Sequence, residues 1–429
     1  MRVCESPQGP NRIKILTPDP FPGVSVKGAS RTDLMAEPEW IETPEALAEL
    51  ADHLRSAGRF AFDTEFVSED TFEPILCLVQ VATTDRLAVV DPLAVGDLAA
   101  FWAVVNDPAV EVVMHAAGED LRIGRFQSGR VPTRVVDVQI AAGLVGPSYP
   151  MSLSNLIQQV VGVHLAGGET RTDWRRRPLS EAQVKYALDD VVYLLEAADR
   201  LDGRLDALGR RGWAEAEYAS MLETIAGRHE EERWRRLSGL HMLNRRGLEV
   251  ARRLVDWRRD DARRANRPLR SALRDDLLVA IAKRQPARRA DLEALRDFNR
   301  GHLGAKADAL VAVIAQALAV PDDQLPEPAE RHDDGPGRSM VVNLLAATLT
   351  LRCADAGVAA SLVGTNSDLK DLARWSALGC HEDRRPSLAS GWRGEVCGES
   401  ILDVLMGRSA LRIDDPEAEI PVSLVPTPG

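Results

Sequence analysis

The chain has 429 residues, 45% apolar, 28% charged and only 5% aromatic, with a net charge of −12. At about 100–200 residues per domain that length holds roughly two to four domains, and the composition excludes collagen-like, mucin-like and wholly disordered chains. No apolar run of about 18 residues occurs, so no bilayer span or membrane partner is expected, and the N-terminus lacks the charged-then-apolar pattern of a secretory signal. The five cysteines (Cys4, Cys77, Cys353, Cys380, Cys397) are odd in number and show no CxxC spacing, which argues against a disulfide framework or a zinc site and for a cytoplasmic protein.

Along the chain, residues 1–38 read as a flexible tail, rich in proline and glycine and without apolar periodicity. Order begins near Trp40, and Thr43-Pro44 predicts a helix start carrying Leu47, Leu50 and Leu54 at helical spacing. Three strand-length apolar runs follow: 60–66, 75–82 and 87–90. Helical patterns then alternate with short strands at 112–114 and 135–136, which predicts an α/β layer structure over 39–205. Residues 206–232 read as a helical linker, 233–319 as a helical domain, 320–338 as an acidic linker, 339–412 as a second helical domain and 413–429 as a loose tail. Charge is uneven: Arg233 to Arg300 holds twenty Lys or Arg against nine Asp or Glu, a local +11 that leaves −23 for the remainder. Such asymmetry points to a polyanion partner for the basic part, or else to a solvated arginine-rich helix surface.

Within the α/β region, Asp63 and Glu65 lie two apart in an apolar strand, so both carboxylates project from one face. Buried together they need a cation, either a salt-bridge partner or a divalent metal. Asp120 follows the strand end and small residues of MHAAGEDL (114–121), at a predicted first helical turn where an acid is favourable on dipole grounds alone. Tyr186 and Asp190 are four apart in a helical pattern continuing through Leu195, hence on one face, with Asp189 expected to face solvent.

In order and spacing, FDTEF (62–66), HAAGEDL (115–121), VVDVQIAAGL (135–144), TDWRRRPLS (172–180) and YALDDVVYLL (186–195) resemble ribonuclease D, in the tyrosine subgroup of the DEDD exonucleases. The resemblance covers about 40–205 and implies an α/β exonuclease domain, a ribonuclease H-like mixed sheet flanked by helices, followed by two all-α helical domains. It further implies that Asp63, Glu65, Asp120 and Asp190 bind two divalent ions, Mg²⁺ or Mn²⁺, with Asp63 as the bridge, while Tyr186 positions or helps deprotonate the attacking water. His115 is a candidate for contact with the scissile phosphate or terminal sugar, or else a buried helix-start histidine. Gln139 is a candidate cleft residue. Trp174 with Arg175, Arg176 and Arg177 offers a stacking surface with phosphate-binding cations, or an arginine-rich loop that caps the domain. Phe72 stands where the family usually has tyrosine, and Ile75 where a basic residue is common.

The segment from His241 to about His302, with LVDWRRDDARRANRPLRSALRDDLLVAIAKRQP (254–286), resembles the HRDC domain of ribonuclease D proteins and RecQ helicases. Its Arg258, Arg259, Arg263, Arg264, Arg267 and Arg270 are candidate phosphate contacts, some of which are expected to pair with Asp256, Asp260 and Asp261 instead. Residues 339–412, with GWRGEVCGESILDVLMG (391–407), are similar to the second, more divergent helical domain of bacterial ribonuclease D, which implies a ring or funnel feeding a 3′ end to the catalytic domain. The expected function is a monomeric, metal-dependent 3′→5′ exoribonuclease. It would trim structured RNA with a free 3′ end, tRNA precursors first, and release nucleoside 5′-monophosphates. A DNA 3′ exonuclease and a non-catalytic RNA-binding scaffold are the alternatives.

Overall fold

The computed structural model describes residues 38–165, 172–227, 234–298, 303–328, 336–380 and 385–428. The expected N-terminal tail, apart from its last residue, lies outside them. Thr43 caps the first helix, Pro44–Ala57, its hydroxyl accepting from the Ala46 amide at 3.2 Å, and Gly58 closes it with a left-handed φ of 68°. The chain then enters a six-stranded sheet of order β1-β4-β3-β2-β5-β6. The strands are β1 (Glu39–Ile41), β2 (Arg59–Val67), β3 (Ile75–Ala82), β4 (Leu87–Val90), β5 (Glu111–Met114) and β6 (Val135–Asp137). β2, β3 and β4 run antiparallel to their sequence neighbours, whereas β1, β5 and β6 join by parallel pairing. The three runs near the start of the domain and the two later short strands are thus all present; β1 at the edge is too short to show a period.

Side-chain alternation sends Phe60, Phe62, Val79 and Val81 to one face, against Leu47, Leu50, Leu54, Phe101 and Trp102. Ala61, Leu78, Ala82 and Val113 go to the other, against the helices Val138–Val145, Leu194–Ala207 and residues of the far C-terminal region, including Leu345, Leu369 and Leu388. The C-terminal helices therefore share a core with the sheet layer. Arg210 fastens them, donating to the carbonyls of Leu144 (2.7 Å), Gly357 (3.3 Å) and Ala356. Glu217, on the helix Arg211–Ile225, accepts from Trp392 at 2.8 Å and from Arg393 at 2.6 Å.

The basic helical segment has its own core around Leu254, Leu278, Phe298 and Ile314. It touches the sheet domain through Asn266, whose Oδ1 accepts from the amides of Phe72 (3.1 Å) and Glu73 (3.3 Å), and through Arg263, which lies 5.5 Å over the Phe72 ring. The loose C-terminal tail expected after residue 412 is instead a hairpin. β7 (Ser409–Ile413) pairs antiparallel with β8 (Val422–Pro426), and Leu424 packs on the main core. β8 reads Val-Ser-Leu-Val-Pro, too short and too proline-bounded to show a strand period in the sequence. No helix among the described residues is long and apolar enough to cross a membrane.

Candidate active site

β2 carries Asp63 and Glu65 out of the same sheet face, a placement that follows from strand geometry alone. The helix Glu181–Asp189 starts with a capping box at Ser180 and Gln183 and ends at Asp190. Oxygens of Asp63, Glu65 and Asp190 lie within 4.8 Å of one another. The expected continuous helix through Leu195 is broken: a turn follows Asp190, and a second helix begins at Leu194. Asp120 comes from a third element, the first turn of the helix Gly118–Ser128. It is buried, and its carboxylate accepts from the hydroxyl of Thr64, the residue between the two β2 acids.

Burial, joined by repulsion from Asp120, Asp190 and Glu65, raises the Asp63 carboxyl well above its ordinary value. Burial first and then Asp190 and Asp120 push Glu65 up to about 8. Asp190 rises to about 7 through burial, Asp189 and Asp120, and Asp120 to about 6 through burial, against the lowering bond from Thr64. Among the described residues, the other buried acids are neutralised by cations, except Asp137, which is held by three backbone amides. Asp91 has Arg177, Asp261 has Lys306 and Arg267, Glu249 has Arg252 and Arg253, and Glu217 has Arg393. Among the described residues, none of Asp63, Glu65, Asp120 and Asp190 has a Lys or Arg partner. Hard oxygen donors gathered without a counter-charge fit divalent ions of the Mg²⁺ or Mn²⁺ kind. Tyr186 is half-buried beside them, and its phenol is held protonated far above neutral pH by burial and by Asp190, Glu65 and Asp63.

The 3'-5' exonuclease family matches residues 38–206 and the HRDC domain family residues 247–314. Ribonuclease D of Acidiphilium cryptum is 36% identical over 87% of this chain and 95% of its own. That of Gluconacetobacter diazotrophicus is 35% identical over 88% and 95%. The chain belongs to the ribonuclease D family. Ribonuclease D of Escherichia coli is 30% identical over 86% of this chain. The crystal structure of that protein, described as an exoribonuclease involved in structured RNA processing, superposes with a TM-score of 0.74, covering 86% of this chain and 99% of its own. This member of the family is thus a hydrolase of the 3′→5′ exoribonuclease class, built on the mixed sheet with flanking helices and a helical C-terminal region.

The structure overturns some expectations about individual side chains and decides between the alternatives for others. Asp189 is buried and paired with Lys185, one helical turn earlier, at 2.5 Å, where solvent exposure was expected. Trp174 is only 4% exposed and packs 6.2 Å from the Tyr186 ring, so it supports the phenol from behind and presents no open stacking face. Arg177 grips Asp91 with two bonds of 2.5 and 2.7 Å and donates to the Cys77 and Trp174 carbonyls, which makes it a clamp on its loop. Arg258 is buried against Asp275 and the Leu273 carbonyl, and Arg267 pairs with Asp261 at 2.5 Å. Both are internal ties of the HRDC domain, whereas Arg263 reaches across to the Phe72 ring of the sheet domain. Arg264 and Arg270 are exposed, and Arg259 is half-buried.

His115 and Gln139 meet at the Met151 carbonyl, each 2.9 Å from it. The carbonyl can only accept, so His115 Nε2 carries a proton, and burial lowers the pKa of the ring, which keeps it neutral. Three contributors escaped the sequence reading. Thr64 braces Asp120. Asp137 ends β6 and holds the Ala116–Ala117 turn. Gln80 lies on β3, opposite Asp63. The strand end at Val135-Val136 marked the position of Asp137, but its bonds are tertiary.

Raised carboxyl pKa values make the ion-free fold bind more protons than the unfolded chain between about pH 4 and 8. The stability that these four acids contribute is therefore full below that window and is lost as pH rises through it. Divalent ions reverse the loss, because they bind the deprotonated set. Scanning fluorimetry with and without saturating Mn²⁺ should show a midpoint rise of about 5 °C at pH 8 and almost none at pH 5. A rise independent of pH counts against the four acids as the ligands.

Proposed function

We propose that this member of the family trims structured RNA from a free 3′ end, with tRNA precursors as substrates, and releases nucleoside 5′-monophosphates. It acts in this reading as a cytoplasmic monomer, and Asp63, Glu65, Asp120 and Asp190 would hold two divalent ions, Mg²⁺ or Mn²⁺. The observation that carries the reading is the meeting of Asp63, Glu65 and Asp190, without a cationic partner, beside Tyr186. Ions bound by these carboxylates would supply Lewis-acid stabilisation of negative charge on the phosphate and would lower the pKa of water.

Tyr186, whose phenol is pushed up by burial and by Asp190, Glu65 and Asp63, positions the attacking water or helps deprotonate it in this reading. Trp174 fixes the ring from behind. His115 and Gln139, both bonded to the Met151 carbonyl, contact the terminal nucleotide in this reading. Half-buried Arg259 and exposed Arg264 and Arg270 of the HRDC domain are proposed to follow phosphates upstream of the 3′ end.

The test is digestion of a 3′-extended tRNA with Mg²⁺, resolved nucleotide by nucleotide. Matched substrates carry a blocked 3′ end or a DNA backbone. Stepwise release of monophosphates from the free RNA end alone supports the proposal. Equal digestion of the DNA strand instead assigns the protein to DNA ends, and endonucleolytic products remove it. Changing Arg259, Arg264 and Arg270 together to Ala should weaken binding of long RNA about tenfold at 0.1 M salt and flatten its salt dependence, with turnover of very short RNA unchanged. Unaltered affinity would take this surface out of the RNA path.

A further inference from the structure

β3 pairs with β2 so that Gln80 stands opposite Asp63. Directly opposed residues of an antiparallel pair leave the sheet on the same face, with their Cβ atoms about 5 Å apart. Gln80 is wholly buried, and among the described residues neither its Oε1 nor its Nε2 has a hydrogen-bond partner. Its neighbours on that face of the ladder are Ala61, Leu78, Ala82 and Val89, all apolar members of one core. The polar groups beside it in the sheet are Asp63, directly across, and Glu65, on the diagonal. A primary amide sealed among apolar side chains with its bonds unmade is costly, and an apolar residue of equal size would be the stable choice there. Closed off from solvent, the amide can act only through a neighbouring side chain.

We propose that Gln80 is a positioning residue for Asp63: in the ion-loaded site its Nε2 donates to the Asp63 carboxylate and holds that carboxylate in its ligating orientation. The inference rests on the reading of Asp63 as an ion ligand. Partners of this kind set both the direction and the basicity of a ligand, and their loss typically weakens metal affinity 10- to 100-fold. Gln80→Met keeps the volume and removes the amide.

The experiment titrates Mn²⁺ by calorimetry into the ion-stripped full-length protein, its Gln80→Met variant and its Asp63→Asn variant, with thermal midpoints recorded before addition. The expected result is a Gln80→Met midpoint at or above that of the parent, with Mn²⁺ affinity reduced about tenfold or more. On a short RNA its kcat should fall while KM is kept. Parent-like Mn²⁺ affinity overturns the proposal, whichever way the midpoint moves. Should Gln80→Met fail to fold, Gln80→Leu takes its place; failure of both also overturns the proposal, since the amide is then needed by the sheet itself. Asp63→Asn separates the two readings. If it too binds Mn²⁺ as the parent does, the ion site is wrong; if it loses binding while Gln80→Met does not, only the role of Gln80 is wrong.

Discussion

Asp63→Asn abolishes hydrolysis, with kcat reduced about 10³-fold or more, while the affinity for RNA is kept. Asp63 stands in the middle of the acidic set, facing Glu65 on its own strand, Asp190 at a helix end and Asp120 from the far layer. An amide offers one neutral oxygen where the carboxylate offers charge, and losing about 4 kcal/mol of transition-state stabilisation corresponds to that rate. The same substitution has an opposite effect on the fold. It removes the carboxyl that burial and three neighbouring acids most disfavour in its charged form. The ion-free variant should therefore unfold at or above the parent temperature at pH 8, and the rise with Mn²⁺ should vanish. Single-turnover cleavage of a labelled 3′-ended RNA, filter binding of the same RNA and scanning fluorimetry measure the three quantities. Full activity in the folded variant would end the assigned role of Asp63.

Asp137→Ala lowers stability by about 3–5 kcal/mol and weakens Mn²⁺ binding without touching a proposed ligand. Asp137 is 2% exposed, and its two oxygens accept from the amides of Ala116 (3.1 Å), Ala117 (2.9 Å) and Gln139 (2.9 Å). One carboxylate thereby serves the starts of two helices, Gly118–Ser128 and Val138–Val145, where negative charge is favoured by both dipoles. It also holds Ala116 at a φ of 56°, a left-handed conformation that alanine rarely adopts. Removing it leaves three amides at these helix starts without their acceptor, at about 1–3 kcal/mol each and less than additively. Release of the turn moves the helix start that carries Asp120. Urea unfolding checks the stability and Mn²⁺ calorimetry the ion affinity. A loss of stability with unchanged ion affinity would make the clamp purely structural.

Both residues lie on features that show in the sequence, yet with different legibility. Asp63 and Glu65 stand out because an apolar strand with two acids on one face has no cheap solution without a cation. Tyr186 and Asp190 stand out because helical spacing puts them on one side, and that relation survives although the helix stops at Asp190. Asp137 shows only as the end of a short strand. Its importance lies in amides some twenty residues earlier that no local pattern connects to it.

Local periodicity and the order of the acidic motifs determined the strands of the sheet, the helix starts at Thr43 and Ser180, and the identity of the family. Those properties depend on neighbours within about one turn or one strand, which a linear sequence records directly. Tertiary structure alone decided which charges are spent internally. Arg177 is tied to Asp91, 86 positions away, and Arg258 to Asp275, 17 positions away, so both leave the pool of phosphate contacts that their sequence surroundings advertise. Trp174 likewise became a wall for Tyr186, and the C-terminal helices merged into the core of the sheet. A charge or a ring is a contact only if packing leaves it uncovered, and packing is settled by residues far away in the chain.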